Sequence, residues 1–356
     1  MKIAQVAPLY ESVPPKYYGG TERVVSYLTE ELVQQGHEVV LFASGDSVTR
    51  AQLVPVSQRA LRLEGPHVVD RIAHHVRMLE MVHRRVLDFD LVHFHIDYLH
   101  FPLATRFPTA ALTTLHGRLD IPDLIPLFQE FPKVNLVSIS NTQRKALGWA
   151  NWRGTVYHGL PIGLYRFQEK PGSYLAFLGR ISPEKRVDRA IKIAQRTGVK
   201  LKIAAKVDAV DREYFETEIR PLLDDLLIEF VGEIGEAEKN EFLGNALALL
   251  FPIDWPEPFG LVMIEAMACG TPTIAYRHGS VSELLENNKT GFIVDNLQGA
   301  VNAVKQIPRL SRRTCREAFE RRFSSSRMAS DYLAIYKSLL SDAADVGGEK
   351  LSFFNG

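Results

Sequence analysis

Two patterns of apolar and polar positions alternate along the chain. Short apolar segments of strand length are followed by longer segments whose apolar residues recur at helical spacing. The first pair is KIAQVAPL, predicted as a strand, and ERVVSYLTEELVQQG, predicted as a helix that ends at Gly36. This alternation is typical of βαβ units and predicts a parallel, doubly wound sheet.

The same alternation occurs a second time. The first half continues with the predicted strands EVVLFAS, DLVHFH, TAALTTLHG and VNLVSIS, and with the helix VVDRIAHHVRMLEMVHRRVLD. The second half has the strands SYLAFLGRI, KLKIAAK, LLIEFVGE, ALLFPI, TPTIAYRHG and TGFIVD, and the helices RVDRAIKIAQRTG, AEKNEFLGNAL and LVMIEAMACG. We therefore predict an α/β chain of two Rossmann-like domains, joined near Leu160–Ser173, where proline and glycine cluster. Two such sheets facing each other would form a cleft, and ligands of open α/β sheets bind beyond the carboxyl ends of the strands.

The composition and net charge limit which classes of function and which cellular location we expect. The chain has 356 residues and a formal net charge of zero, so no global field attracts nucleic acid, and any bound anion must be held by a local site. Two cysteines provide no disulfide framework and fit a reducing compartment. Neither a secretory signal nor an apolar run of ~20 residues is found, so we expect a cytoplasmic protein with at most peripheral membrane contact, at Arg84 and Arg85 or near Arg59 and Arg62.

Two segments supply candidate anion-binding groups. Arg180 and Lys185 follow a predicted strand and precede a helix, so both side chains could contact one diphosphate. Gly19 and Gly20, with Thr21 as a candidate N-cap, resemble an anion cradle at the start of the first helix. The alternatives are two surface cations and a tight turn that needs glycine for positive φ.

The segment WPEPFGLVMIE carries two acids eight residues apart, Glu257 in a proline-stiffened loop and Glu265 early in a helix. One carboxylate can accept both hydroxyl hydrogens of a ribose diol and the other those of a hexose diol, with phosphates between them at the helix start. This arrangement would suit a nucleotide-sugar donor. A general acid/base pair of the hydrolase type and two acids that complement the helix dipole remain open.

The histidines invite a metal-site hypothesis. His93 and His95 alternate on one predicted strand, with His100 and His116 nearby, but cysteine and carboxylate partners at ligand spacing are missing. We expect His93 to be a core residue, His95 to line the cleft, and no metal to bind.

Several blocks, in the correct order from the first strand to about Val294, resemble glycosyltransferase family 4. PEPFGLVMIE is similar to the E-x7-E pattern of retaining nucleotide-sugar glycosyltransferases. The other blocks are GGTERVV, DLVHFH, TLHG, GRISPEKR, AMACGTPTIA and GSVSELLENNKTGFIV. The resemblance implies the GT-B fold, in which two Rossmann-like, doubly wound domains face a central cleft. It implies an N-terminal acceptor-side domain at 1–165, a nucleotide-sugar domain at 166–325, a C-terminal helix at 326–341 that crosses back to the N-terminal domain, and a tail at 342–356.

The resemblance also implies residue roles. Glu265 would hold the ribose, Arg180 and Lys185 the diphosphate, and Glu257 the transferred sugar, with His116 near that sugar. The backbone N–H groups of the helix start, at Phe259, Gly260, Leu261 and Val262, would help to hold sugar and phosphate, and the base would lie near Val231, Gly232, Lys206 and Val207. Three positions depart from the family pattern: Arg186 replaces the glycine of E-K-G, HGLPIG replaces N-G-[IV]-D, and Ser280 replaces a common second glycine.

The expected reaction is transfer of a hexose from a nucleotide diphosphate sugar, of the UDP-glucose or GDP-mannose class, to a hydroxyl acceptor with retention of configuration. No cofactor or metal is expected, because the cations, the glycine loop and the helix dipole already stabilise the leaving diphosphate. The family mechanism has the acceptor attack on the leaving-group face, with a phosphate oxygen taking its proton and no protein nucleophile. The acceptor, which could be a sugar, a lipid-linked sugar or a small aglycone, is not determined. A nucleotide-sugar 2-epimerase of the same fold and a non-catalytic nucleotide-sugar-binding subunit are the alternatives.

Overall fold

The computed structural model describes residues 1–17, 19–65 and 68–352, with side chains described to residue 342. Within these residues the strands, in chain order, are β1 Lys2–Val6, β2 Glu38–Ser44, β3 Gln52–Ser57, β4 Leu91–Phe94, β5 Ala110–Thr114, β6 Leu136–Ser138, β7 Trp152–Thr155, β8 Tyr174–Ile181, β9 Leu201–Val207, β10 Ile228–Gly232, β11 Ala246–Phe251, β12 Thr273–Tyr276 and β13 Gly291–Val294.

The α-helices, in chain order, are α1 Gly20–Gln34, α2 Arg71–Arg84, α3 Phe101–Ala104, α4 Leu124–Glu130, α5 Val187–Thr197, α6 Arg212–Tyr214, α7 Glu236–Gly244, α8 Leu261–Cys269, α9 Val281–Leu284, α10 Leu297–Gln306, α11 Arg312–Arg322 and α12 Ser325–Ser352. A single π-helical turn, Phe215–Ile219, continues α6, and short 3₁₀ turns such as Pro183–Lys185 occupy several loops.

The chain forms two compact units. The first contains Met1–Ile139, Arg144–Gly159 and Ser325–Gly356, and the second contains Ser140–Gln143 and Leu160–Ser324. The second unit therefore begins at Leu160, six residues before the predicted start at 166. It also includes a short piece of the first half, because the Asn141 and Thr142 N–H groups donate to the Glu283 carboxylate at 2.7 and 2.6 Å.

Helix α12 belongs to the first unit and is longer than predicted. It contacts α1, where the Ser325 hydroxyl donates to Glu31 Oε2 at 3.0 Å. The helix continues to Ser352, so residues 342–352 of the predicted tail are helical. The end of that tail, 353–356, lies outside the described residues.

In the first unit, the described strands form one parallel sheet in the order β3-β2-β1-β4-β5-β6-β7. Ile3 of β1 is paired with Val39 on one side and Leu91 on the other, so β1 is central and its side chains are buried. Helix α2 covers one face through Met78, Leu79 and Val82. Each such fully buried side chain contributes about 2 kcal/mol by leaving water.

In the second unit, the described strands form a parallel sheet in the order β10-β9-β8-β11-β12-β13. Its core joins Leu175 and Ile203 of the sheet to Ile191 of α5 and Val304 of α10. The predicted doubly wound architecture is confirmed for both units, and every predicted strand is present.

The sequence pattern missed two strands, and both are at sheet edges. β3 contains Pro55, which cannot donate to a ladder, and β7 is the four-residue segment Trp152–Thr155 with a glycine inside it. Such segments carry neither a continuous apolar run nor a clear alternation, so their pattern resembles that of a loop.

Candidate functional site

The strand order of the second sheet identifies where a ligand would bind. The order reverses between β8 and β11, so the connections leave these two neighbouring strands toward opposite faces. In open α/β sheets, ligands occupy the crevice at the carboxyl ends of the strands at such a reversal. The segment after β8 carries Lys185, and the segment after β11 carries Glu257.

Lys185 and Glu257 form an ion pair at this edge, between the ε-ammonium and Oε2. Trp255 completes the group, because its indole N–H donates to Glu257 Oε2 at 3.0 Å and the Lys185 ammonium lies 4.9 Å from the centre of its ring. The Lys185 and Glu257 side chains are 16% and 12% exposed, so removing either partner would leave a poorly solvated charge. The sequence pattern identified both charged residues but not their pairing or the part played by Trp255.

Backbone contacts fix the two loops relative to each other. The Asp254 N–H donates to the Glu184 carbonyl at 2.9 Å, which joins the loop after β11 to the 3₁₀ turn Pro183–Lys185. On its other side, the Glu257 carbonyl accepts from the Ser280 N–H at 3.0 Å, and the Ser280 hydroxyl donates to the Phe259 carbonyl at 2.6 Å. The loop that carries Glu257 is therefore held at both ends.

Helix α8 begins at Leu261, as predicted, directly after this loop. Gly260 is the N-cap residue with φ 85°, a left-handed conformation that favours glycine. The Met263 N–H donates to the Gly260 carbonyl at 3.0 Å, whereas the N–H groups of Leu261 and Val262 precede the first possible intrahelical acceptor. Phe259 is buried and makes an edge contact with Phe323. The helix start thus presents backbone donors and a positive dipole end next to Glu257.

Arg180 lies near the end of β8 among acidic side chains. Its guanidinium donates to Glu184 at 2.7 Å and lies 3.7 Å from Asp208 and 3.9 Å from Asp211. Although burial raises the pKa of the Glu184 carboxyl, hydrogen bonds from its own backbone, Ser182 and Arg180 lower that pKa overall, so Glu184 is ionised. To contact a diphosphate as predicted, the Arg180 guanidinium would therefore exchange acidic partners for phosphate oxygens.

Glu265 belongs to a separate ion pair. Its side chain is only 4% exposed, and Lys239 of α7 donates to it at 2.8 Å while lying 3.5 Å from Glu236. The two acids of the E-x7-E pattern are thus each paired with a different lysine in the ligand-free protein. Lys239 gave no signal in the sequence, because it is one of several charged residues on a polar helix.

The predicted base-binding segment is the end of β10, an edge strand. Val231 is 44% exposed, and the neighbouring Phe230 makes a ring contact with Phe215 at 5.6 Å. Gly232 has φ 86°, and Lys206 on the adjacent β9 pairs with Asp208 at 2.5 Å. An exposed apolar edge beside glycine is a suitable surface for a flat ring.

The first unit carries the other predicted residues, and here one prediction is wrong. Thr21 is not the N-cap of α1: the helix begins at Gly20, and Gly19 occupies the N-cap position with φ 166°. That φ is ordinary extended backbone, so positive φ does not explain Gly19. Close packing does, because a Cβ at Gly19 would lie 2.8 Å from the Pro15 Cβ.

Glu22, which the sequence analysis did not single out, is buried in the first turn of α1. Burial is the main reason that its pKa is raised to about 7, and the neighbouring Glu11 carboxylate raises it further. Glu11 itself accepts from Arg62 at 2.7 Å. Groups with a strongly shifted pKa are frequent at functional sites, so the buried Glu22 carboxyl, beside the glycine segment, is a candidate functional residue.

His116 follows β5, at the carboxyl edge of the first sheet, and His95 follows β4 at the same edge. The His116 Nε2 lies 2.9 Å from the His95 Nδ1, and the His116 ring stacks on His158 at 5.3 Å. Burial lowers the pKa of His116 to about 3, so its ring is neutral. His93 is fully buried and hydrogen-bonded at both ring nitrogens, to Tyr336 and Thr114, as expected for a core histidine.

No group of three or more histidine, cysteine, aspartate or glutamate side chains in the described part of the chain could hold a metal ion. Likewise, no helix among the described residues is long and apolar enough to cross a membrane.

Comparison with known proteins agrees with this geometry. The model for Glycosyltransferase Family 4 matches residues 18–167, and the model for Glycosyl transferases group 1 matches residues 166–320. The chain is 23% identical to the phosphatidyl-myo-inositol mannosyltransferase of Mycobacterium leprae over 400 residues, covering 97% of this chain and 99% of the relative. It is 27% identical to the N-acetyl-alpha-D-glucosaminyl L-malate synthase of Bacillus anthracis over 391 residues, covering 96% of this chain and 98% of the relative.

Among solved structures, the Anabaena protein Alr3699/HepE in complex with UDP-glucose is similar at a TM-score of 0.70 and 16% identity, over 96% of this chain and 100% of that chain. The two doubly wound units and these similarities define a glycosyltransferase of the GT-B fold. The chain belongs to glycosyltransferase family 4.

Proposed function

We propose that this glycosyltransferase moves a hexose from a nucleotide diphosphate sugar, of the UDP-glucose or GDP-mannose class, to a hydroxyl acceptor with retention of anomeric configuration and without a metal. The observation that carries the proposal is the Lys185–Glu257 pair, which lies at the strand-order reversal and directly before the start of α8.

The pair suits a ligand that has an anion next to hydroxyl groups. Lys185 and Glu257 neutralise each other, so a ligand gains little unless it replaces both partners. A diphosphate satisfies the ammonium and a sugar hydroxyl satisfies the carboxylate, and a nucleotide sugar carries both groups in one molecule. A plain phosphate would satisfy only Lys185 and leave Glu257 as a poorly solvated, unpaired charge.

The same groups favour the transition state. As the glycosidic bond breaks, negative charge grows on the leaving diphosphate, next to Lys185 and the N–H groups of Leu261 and Val262. These donors belong to a rigid turn and a helix start, so they need little reorganisation, and preorganised electrostatic stabilisation is usually the largest catalytic effect. Lys185 and these N–H groups would thus stabilise the leaving diphosphate as a divalent metal does in other phosphate sites.

The relatives support the donor class. One curated relative is named as a mannosyltransferase and another as an N-acetylglucosaminyl malate synthase, while a structural neighbour holds UDP-glucose. The hydroxyl acceptors in the two names differ, a phosphatidylinositol and malate, so the acceptor of this chain is proposed only as a hydroxyl compound.

The test is hexose release from UDP-glucose and GDP-mannose, with and without a panel of hydroxyl acceptors, by the wild type and by Lys185→Ala. We expect kcat/KM to fall by about 10²–10³-fold in the variant, because a donor aimed at the developing charge is lost. The matched control is Lys192→Ala on α5, whose side chain is 53% exposed and pairs with Asp188, and which should keep wild-type rates.

Two further measurements decide the finer points. NMR of the product gives its anomeric configuration, and inversion would refute retention. Excess EDTA should leave the rate unchanged, and a loss restored by Mg²⁺ or Mn²⁺ would refute metal independence. Formation of an epimer from donor alone would instead favour the 2-epimerase alternative.

A further inference from the structure

A continuous network of hydrogen bonds joins His116 to the interior of the first unit. His116 Nε2 contacts His95 Nδ1 at 2.9 Å, and His95 Nε2 contacts Gln5 Oε1 at 2.8 Å. Gln5 Nε2 in turn donates to the Tyr336 hydroxyl at 3.3 Å. Gln5 and His95 are both almost fully buried, so water does not compete for these bonds.

A second branch begins at the same tyrosine. The Tyr336 hydroxyl lies 2.7 Å from His93 Nδ1, and His93 Nε2 lies 2.8 Å from the Thr114 hydroxyl. Thr114 ends the branch at the Tyr332 hydroxyl, 2.9 Å away. Tyr332 and Tyr336 both belong to α12 and are fully buried.

The direction of every proton in the network follows from the Gln5 amide. A neutral histidine has one protonated and one unprotonated ring nitrogen. Because Gln5 Oε1 can only accept, His95 carries its proton on Nε2, so its Nδ1 accepts from His116 Nε2–H. The remaining ring nitrogen of His116, Nδ1, is then an acceptor.

The second branch agrees with this assignment. Since the Gln5 amide N–H donates to Tyr336, the tyrosine hydroxyl is free to donate to His93 Nδ1. His93 Nε2–H then donates to Thr114, and Thr114 donates to Tyr332. Reversing the Gln5 amide would reverse the bond between His95 and His116, so this one side chain sets the tautomer of His116.

Among the residues that the structure describes, His116 Nδ1 is an end of this network without a protein donor. The atom is buried and has no hydrogen-bond partner among the described residues. A buried acceptor without a donor is unfavourable, and a ligand hydroxyl would supply the missing hydrogen bond. The His116 ring as a whole is partly exposed at the carboxyl edge of the sheet, where ligands of this fold class bind.

We propose that Gln5 is a positioning residue for His116. The orientation of its amide acts through His95 to keep His116 in the Nε2–H tautomer. His116 Nδ1 then accepts a hydrogen bond from a hydroxyl of the bound donor sugar. The ligand half of this inference rests on the proposed function, whereas the tautomer half concerns the ligand-free protein alone.

The first experiment is ¹H–¹⁵N correlation NMR of the ligand-free, ¹⁵N-histidine-labelled full chain, with His116 assigned from the spectrum of His116→Gln. We expect a pyrrole-type shift at Nε2 and a pyridine-type shift at Nδ1. Gln5→Met and Tyr336→Phe should each convert His116 to a mixture of tautomers, because each removes a bond that fixes the amide.

Tyr332→Phe is the matched control. It removes an equally buried hydroxyl from the same helix, but at the far end of the His93 branch, so the His116 spectrum should not change. A protonated Nδ1 in the wild type, or an unchanged His116 spectrum in Gln5→Met, would overturn the tautomer half.

The second experiment adds UDP-glucose and its monodeoxy analogues. Binding of UDP-glucose should move the His116 Nδ1 shift toward that of a hydrogen-bonded acceptor, and one deoxy analogue should bind without doing so. Gln5→Met should raise KM for the donor about five- to tenfold with kcat changed less than twofold, which corresponds to one hydrogen bond lost equally from ground and transition states.

The two proposals fail in different ways. Binding and turnover of UDP-glucose with an unmoved Nδ1 shift would overturn the ligand half and leave the proposed function standing. Absence of binding for both UDP-glucose and GDP-mannose would overturn the proposed function and the ligand half together, while the ligand-free spectrum would still decide the tautomer.

Discussion

At the scale of single residues, Arg186 shows what a departure from a family pattern means physically. It stands where the related segment has glycine, and it adopts the left-handed conformation that glycine favours, with φ 54° and ψ 50°. Its guanidinium donates to both carboxylate oxygens of Asp188 at 2.8 and 2.9 Å and to Asp254 at 2.8 Å. This arrangement favours a surface ion-pair network over a contact between Arg186 and a phosphate.

Replacing Arg186 should separate backbone strain from ion pairing. Arg186→Ala loses the ion pairs and keeps a left-handed non-glycine residue, so we expect a loss of about 1 kcal/mol in the free energy of unfolding. Arg186→Gly loses the same pairs but relieves about 1 kcal/mol of strain, so it should be more stable than the alanine variant by that amount. Urea unfolding of the three proteins measures the difference.

The donor KM provides the functional comparison for the same pair of variants. Both should keep KM within about twofold of the wild type, in contrast to Lys185→Ala one residue earlier. A large rise in KM in both would mean that Arg186 contacts the diphosphate after all, and a glycine variant less stable than alanine would contradict the strain assignment.

Residue types were predictable from the sequence at this scale, but partners were not. The proline-flanked Glu257 and the loop Lys185 could be selected because their spacing matched a known pattern. Their ion pair, and the Trp255 contact that completes it, depend on how two loops 72 residues apart meet. Glu22 escaped notice because a glutamate in the first turn of a helix is common on surfaces, and only burial makes it unusual.

At the scale of elements, the loop that carries Glu257 depends on a close backbone approach. Gly279, with φ 54°, lies so near the loop that an added Cβ would overlap the backbone N and O atoms of Glu257. The next residue, Ser280, forms the hydrogen bonds to Glu257 and Phe259 described above. The serine that replaces the family's second glycine therefore adds a bond to the loop that glycine could not form.

Gly279→Ala should displace the loop that holds Glu257. We expect a loss of several kcal/mol in stability together with a fall of at least tenfold in kcat/KM, because a misplaced catalytic loop is costly. The control is Gly198→Ala, which has a similar φ of 68° but no atom within 4 Å of the added Cβ. It should lose only ~1–2 kcal/mol of stability and keep its kcat/KM.

Thermal unfolding and donor kinetics of both variants check this prediction. Equal effects of the two substitutions on kcat/KM would show that the contact between Gly279 and Glu257 does not position the loop.

Elements were predictable where their pattern was strong. Every strand of the sheet interiors was found, since central parallel strands are continuous apolar runs. Edge strands β3 and β7 were missed because they lack such runs. Thr21 was wrongly assigned as the N-cap of α1, because the cap position depends on a backbone dihedral angle that the residue types do not specify.

At the scale of the whole molecule, the two units differ in their buried histidines. The first unit buries His93, His95, His100 and His158 and half-buries His116, and burial lowers the pKa of each, to about 3 for His100 and His116. The second unit contains a single histidine in its sequence, His278.

This difference predicts that mild acid destabilises the first unit selectively. Each buried histidine is neutral when folded and titrates near its ordinary pKa of 6.5 when unfolded, so the unfolded state binds more protons below pH 6.5. The stability contributed by the neutral rings is fully present above pH 6.5 and is lost as the pH falls toward 3. At pH 5 the loss is about 2 kcal/mol for each of His100 and His116.

Hydrogen exchange of the full chain, followed by mass spectrometry at pH 7 and pH 5 with correction for intrinsic rates, checks this expectation. Protection should fall in β4 and β5 while β8 and β11 keep theirs. His100→Gln should reduce the pH dependence by about one proton, and His83→Gln, which removes an exposed ring from α2, is the control. Earlier loss of protection in β8 and β11 would contradict the prediction.

The hydrogen-bond network of the first unit also has a consequence for how the protein is made. Gln5 and His93 are synthesised before the second unit, whereas Tyr332 and Tyr336 are synthesised after it. Until then, the nascent chain carries buried polar groups without their partners, whereas the second unit, which ends at Ser324, is already complete. We therefore expect the half synthesised first to reach its native state last.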